Sequence, residues 1–208
     1  MALPRLLPIA LLLALFLPLE AHAGSTDPDV LRIEKAGHSV KWNAPLAGRE
    51  GRYGHAEALV NAPLTKVRET AGAFGQYKNI FGGKLRNIRV VGKENGSTDV
   101  YVQVPVMHGM LTLSQVLRFG PAKQVAPGVE QLEGTFVRGT NVNGAHIVIT
   151  MKEVDENFTV VKCDLLIVPS VPAPQSAVDE ELRDAAMNAV DGIHEHAQGR
   201  PGTFALNK

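Results

Sequence analysis

Tyr53, His55 and Glu57 recur at alternate positions between residues 53 and 57, a spacing that puts three side chains on one face of a strand. An imidazole beside a carboxylate is the pairing used for proton abstraction, because the carboxylate orients the ring and raises its affinity for a proton. The same run carries Ala56, Ala58 and Val60 on its other face. Alternation therefore turns His55 and Glu57 away from an apolar interior and makes them cross-strand polar residues. They stand as the catalytic candidates, with the pattern favouring a non-catalytic role. His146 meets the same obstacle, since Ile147 and Ile149 claim the inner side.

Other chemistries find less support. His194 and His196 are two apart in a helical pattern, so they point about 200° away from each other and cannot chelate one ion; no metal site is expected. Cys163 is the single cysteine. It alternates with Val161, Leu165 and Ile167, which marks it as a small inward hydrophobe. No glycine-rich phosphate loop and no Gly-x-Ser-x-Gly turn is present, so no cofactor is expected.

The elements that must position these residues follow from periodicity. A strand from Tyr53 to Val60 runs into Ala62-Pro63, and Leu64, Val67 and Ala71 then share one helical face, with Pro63 at a helix-start position where its missing N–H costs nothing. A second short helix carries Tyr77 and Phe81. Six alternating segments follow, roughly 85–91, 98–106, 110–119, 129–138, 145–154 and 158–168, each bounded by Gly, Pro, Asn or Asp. Pro169, Pro172 and Pro174 stop the last strand and hold the connection extended. The closing helix, 176–197, repeats Val178, Leu182, Ala185, Ala186, Ala189 and Ile193 at three and four, with Ser176 as its expected cap. That order closes only by wrapping a curved antiparallel sheet around the last helix.

At the N-terminus Arg5 precedes an apolar run from Leu6 to Leu19, and Ala21-His22-Ala23 offers small residues before Gly24. Residues 1–23 read as a signal peptide, so the chain is expected to be exported: periplasmic in a bacterium, otherwise secreted. Residues 24–52 read as an extension in which Leu31-Arg32-Ile33 and residues 39–42 form short strands outside the sheet, with Trp42 docking. Residues 200–208 form a tail. The chain holds 21 basic and 21 acidic residues, and removing the leader, with Arg5 and Glu20, leaves it neutral. A nucleic-acid binder would show a basic excess, and no nucleic-acid partner is expected.

The stretch Val60-Asn61-Ala62-Pro63-Leu64-Thr65-Lys66-Val67, the following Phe74-Gly75-Gln76-Tyr77 and the closing helix resemble the START and polyketide-cyclase superfamily over about residues 53–199. The resemblance implies an α+β helix-grip domain, with a curved seven-stranded antiparallel sheet around a long C-terminal helix and two short helices after the first strand. It also implies a lipid, sterol, quinone or polyketide-like ligand held between sheet and helix. Many members bind without catalysis, while some cyclise or hydrolyse.

Side-chain size supports a hollow. Val100, Val102, Val104 and Val106 share one face, as do Ala145, Ile147, Ile149 and Met151, opposite a helix offering Ala185, Ala186 and Ala189; such modest groups leave volume unfilled, although a closely packed sheet would give the same pattern. The expected wall comprises Val102, Val104, Leu113, Phe136, Ile147 and Ile149 from strands, with Ala186, Met187 and Val190 from the helix. Met107 and Met110 lie at the hairpin mouth, and Tyr77 and Phe81 form a lid. Gln115 shares its parity with Leu111, Leu113, Leu117 and Phe119, which puts one amide among apolar neighbours. The expected function is non-catalytic binding or transfer of a hydrophobic small molecule or lipid, with transient membrane contact. The alternatives are a cyclase or hydrolase using a histidine in the same cavity, and a protein-interaction module with a filled core. Oligomeric state stays open.

Overall fold

The computed structural model describes residues 26–37, 39–80, 85–106 and 109–199. Helix α1 (Pro28–Lys35) comes first, followed by β1 (Ser39–Pro45) and β2 (Arg52–Val60). Two short helices, α2 (Leu64–Gly72) and α3 (Tyr77–Ile80), flank a single 3-10 turn, Phe74–Gln76. Seven strands follow: β3 (Asn87–Glu94), β4 (Ser97–Val106), β5 (Leu111–Phe119), β6 (Lys123–Ala126), β7 (Val129–Thr140), β8 (Val142–Glu153) and β9 (Thr159–Pro169). The long α4 (Gln175–Ala197) closes the chain.

All pairings are antiparallel, in the order β1-β2-β9-β8-β7-β5-β4-β3, with β6 paired to β7. The helix-grip architecture matches the expectation, but the described sheet has nine strands rather than seven. The additions are β1 and β6. Every residue of the four-residue β6 is exposed, so it carries no apolar alternation to read. Strand β1 pairs with β2 along its whole length, from Ser39↔Ala58 to Pro45↔Arg52, so this part of the extension is integral to the sheet.

Leu31-Arg32-Ile33 is helical and not a strand. Asp27 caps α1 by accepting a hydrogen bond from the Asp29 amide (2.9 Å), and Pro28 opens the helix, as expected for a proline at the first helical position. Val30 and Ile33 then bury against Val160 on the outer face of the sheet. Helix α4 also starts differently. Pro174 takes the N-cap position without a side-chain cap, and its carbonyl accepts from the Ala177 and Val178 amides at 3.0 and 3.2 Å; Ser176 lies one residue inside.

Two glycines set where α4 rests. A Cβ at Gly54 of β2 would collide with the Leu182 backbone, and one at Gly192 would collide with the Ile80 carbonyl oxygen. The helix is thus pressed against β2 and α3 at two points, Leu182 and Gly192, about 15 Å apart along its axis. It packs on β1, β2 and β9. Strands β4 and β5 face it across a gap.

Candidate functional site

The gap is a cavity of about 670 Å³ between α4 and the inner face of the sheet. Register builds its wall. Val100, Val102 and Val104 of β4 stand opposite Leu117, Gln115 and Leu113 of β5. Of these six, all but Leu113 line the cavity, with Phe119, Ile147, Leu165 and Ile167 continuing the wall across the sheet. Leu85, Ile88 and Pro105 close the β3 side. At one end, Phe74 lies 4.6 Å from Phe119 and 5.2 Å from Tyr77, centroid to centroid. The Tyr77 hydroxyl donates to the Ala71 carbonyl oxygen, so the hydroxyl is occupied at that carbonyl.

The helical wall is more polar. Ala185, Met187 and Ala189 share it with Glu181, Asp184, Asn188 and Asp191, and Lys41 enters from β1. Lys41 Nζ lies 2.5 Å from Asp184 Oδ1. Gln115 is 3 % exposed, and its Oε1 has no hydrogen-bond partner among the described residues.

The residues expected to line the hollow divide into three groups. Tyr77, Val102, Val104, Gln115, Ile147 and Met187 are brought together in its wall. Leu113, Ile149, Ala186 and Val190 are buried in the surrounding core, with Phe136 packed against it, and none of the five lines the cavity. The α4 face bearing Ala186 and Val190 is consumed by contact at the pinned side. Met110 is 80 % exposed and lies on the surface. Phe81 and Met107 lie outside the described residues, as do 1–25 and 200–208.

Sequence reasoning missed several wall residues. Val100, Leu117 and Phe119 share strand parity with expected wall residues of their own strands, and Leu165 and Ile167 share the inward parity of Cys163, so the signal is present in the sequence. Lys41, Glu181 and Asp184 were harder to find. Lys41 belongs to a segment read as lying outside the sheet, and a carboxylate on a helix ordinarily marks a solvated face.

His55, Glu57 and His146 lie on the opposite, outer face, as alternation requires, but they are not solvent-facing. His55 is 2 % exposed. Its Nδ1 is hydrogen-bonded to Asp164 Oδ1 (2.5 Å), its Nε2 to the Ala44 carbonyl oxygen (3.0 Å), and its ring stacks on Trp42 at 5.1 Å. Tyr53 donates to His146 Nδ1 (3.0 Å), and His146 Nε2 donates to Glu133 Oε1 (2.7 Å). That hydrogen bond holds the Glu133 carboxyl below its usual range. Glu57 meets Arg32 of α1; burial pushes its carboxyl up, and Arg32 opposes the shift. None of these outer-face residues lines the cavity. Cys163 is fully buried on the inner face, where burial pushes its thiol up and away from the reactive thiolate. Among the described residues, no group of three or more His, Cys, Asp or Glu side chains gathers as a metal site.

No family model and no curated protein matches this sequence. Solved structures do match the fold. A STAR-related lipid transfer protein from Xanthomonas axonopodis superposes with a TM-score of 0.64 at 10% identity, over 78% of this chain and 94% of that one. Human STARD10 gives 0.62 at 7% identity, over 79% and 71%. The Zhui aromatase/cyclase from Streptomyces gives 0.52 at 14%, over 81% and 99%. At these identities the likeness is one of fold: the curved antiparallel sheet and long C-terminal helix of this chain form a helix-grip fold like that of the START superfamily and polyketide aromatase/cyclase structures.

Proposed function

We propose that this protein is an exported, non-catalytic binding or transfer protein for a hydrophobic small molecule or lipid, held between the inner face of the sheet and α4. The observation that carries the reading is the cavity of about 670 Å³ whose wall from β3 to β9 is apolar apart from one amide, the usual make-up of a small-molecule site. Burying about 300–400 Å² of apolar ligand at about 25 cal/mol/Å² is worth about 8–10 kcal/mol before association costs, enough for micromolar binding. Lipid-transfer proteins among the similar structures support the same reading, at identities that speak to the fold. The alternative of an enzyme using a histidine in the cavity loses its named residues, because His55 and His146 sit across the sheet from it.

The test is direct. Protein purified without detergent is extracted with organic solvent and analysed by mass spectrometry, and its binding of the neutral dye Nile red is titrated. A co-purified apolar molecule or saturable dye binding supports the reading, and absence of both sinks it. Export is tested separately. N-terminal sequencing of the protein recovered outside the cytoplasm should begin at Gly24, and retention of the intact leader in the cytoplasm would overturn that part.

A further inference from the structure

Among the described residues of β3 to β9 that line the cavity, Gln115 is the one polar side chain. It faces Val102 across the β4 pairing and lies between Leu113 and Leu117 on its own strand face. Its Oε1 is buried and unpaired, a state that costs stability and that a leucine or methionine of similar volume would avoid. Packing alone therefore gives no reason for an amide at this position. The helical wall adds a charge bias: among the described residues it offers the carboxylates of Glu181 and Asp184 against one amine, Lys41, which is paired with Asp184 at 2.5 Å.

Resting on the cavity reading above, we propose that Gln115 anchors the hydroxyl group of a neutral, otherwise apolar ligand, and that the acidic wall of α4 disfavours anionic ligands such as fatty carboxylates. A half-turn of the amide about its last torsion presents either the carbonyl oxygen or the amino group to the cavity. A hydroxyl both donates and accepts, so it pairs with either. A carboxylate entering the same space would exchange full hydration for one neutral amide beside an excess of like charge, and burial of an unpaired ion is strongly unfavourable.

The experiment displaces Nile red from purified full chain with decanol and, separately, with decanoate, which share a ten-carbon skeleton and differ in the polar end. Wild-type protein is expected to release dye at a decanol concentration about tenfold below that of decanoate, a gap that narrows as added salt screens the wall. Any apolar cavity penalises a carboxylate, so the variants decide. Gln115→Leu and Gln115→Met should each weaken decanol by about five- to tenfold, with decanol affinity calculated from each variant's own Nile red titration, and unfold at the same or a higher temperature. Glu181→Gln should strengthen decanoate relative to decanol by about two- to threefold. The proposal is overturned if decanoate binds wild type as well as decanol does, or if both Gln115 variants bind dye and keep decanol affinity within about twofold of wild type. Failure of wild-type protein to bind Nile red saturably would instead overturn the cavity reading itself, and this proposal with it.

Discussion

His55 and Asp164 face each other across the β2–β9 pairing, joined at 2.5 Å and shielded by Trp42. A buried pair of this kind is expensive to break from one side, because the remaining group, left with Lys162 Nζ at 3.0 Å for Asp164 or the Ala44 carbonyl oxygen for His55, loses its direct partner where water cannot replace it. Asp164→Asn and His55→Ala should each destabilise by about 2–4 kcal/mol in urea denaturation while leaving Nile red affinity of the folded protein unchanged; lost binding with retained stability would show that the outer face serves the cavity. Glu57 works with a different sign. Its raised carboxyl contributes stability only below the unfolded value and loses it as pH rises through the folded one, so at neutral pH the ionised group depends on Arg32. Removing Arg32 alone should cost on the order of 1 kcal/mol, discounted because that side chain is 42% exposed, and the double variant Arg32→Ala/Glu57→Gln should recover most of it. A double variant no better than the single would refute the account.

At the scale of elements, legibility follows residue type more than burial. Strands β2, β4 and β8 are readable because polar and apolar residues alternate along them, even though β2 is buried on both faces from Tyr53 to Ala58, and α4 because its apolar residues recur at three and four over most of its length. Helix α1 was misread: its buried pair is only Val30 and Ile33, and the Asp27-Pro28 start that announces it was passed over. Strand β1 was seen but placed outside the sheet, since no local pattern records which edge a strand will join. What the sequence could not reveal was how asymmetrically the helix would sit. Gly54 and Gly192 bring α4 down on β2 and α3, leaving the hollow on the β4 and β5 side, and that geometry depends on residues distant in the chain. Gly192→Ala should destabilise by about 1–3 kcal/mol, since a methyl group would meet backbone that cannot yield as a side chain can, and Gly54→Ala should do the same and also alter dye affinity by shifting α4. Wild-type melting temperatures for both variants would show that the helix is not pinned there.

For the whole molecule, the two faces of the sheet do different work: α4 covers one with space beneath it, and α1 packs closely on part of the other, over β2 and β9. Lys152 of β8 ties the second cover down, with Nζ 2.7 Å from Asp27 and 2.9 Å from Asp29. The hydrogen bond from Lys152 is the main reason that both carboxyls are held below their usual range, and the bond to Asp27 in turn raises the Lys152 amine. For carboxyls lowered by folding, the stabilisation is present above the unfolded value, about 4, and disappears as pH falls through the folded values. For the raised amine it is present below the ordinary lysine value, about 10, and fades only as pH climbs past it. The clamp therefore holds across the whole neutral range and opens in acid. Comparing wild type with Lys152→Met isolates it from the other acid-sensitive pairs, such as Asp99 with Arg118, because those titrate identically in both proteins. The difference in urea midpoint between the two should be constant between about pH 5 and 9 and should shrink as pH falls below about 4, through the lowered folded values. A difference that persists undiminished in acid would mean that Lys152 stabilises through its aliphatic stem instead of its charge.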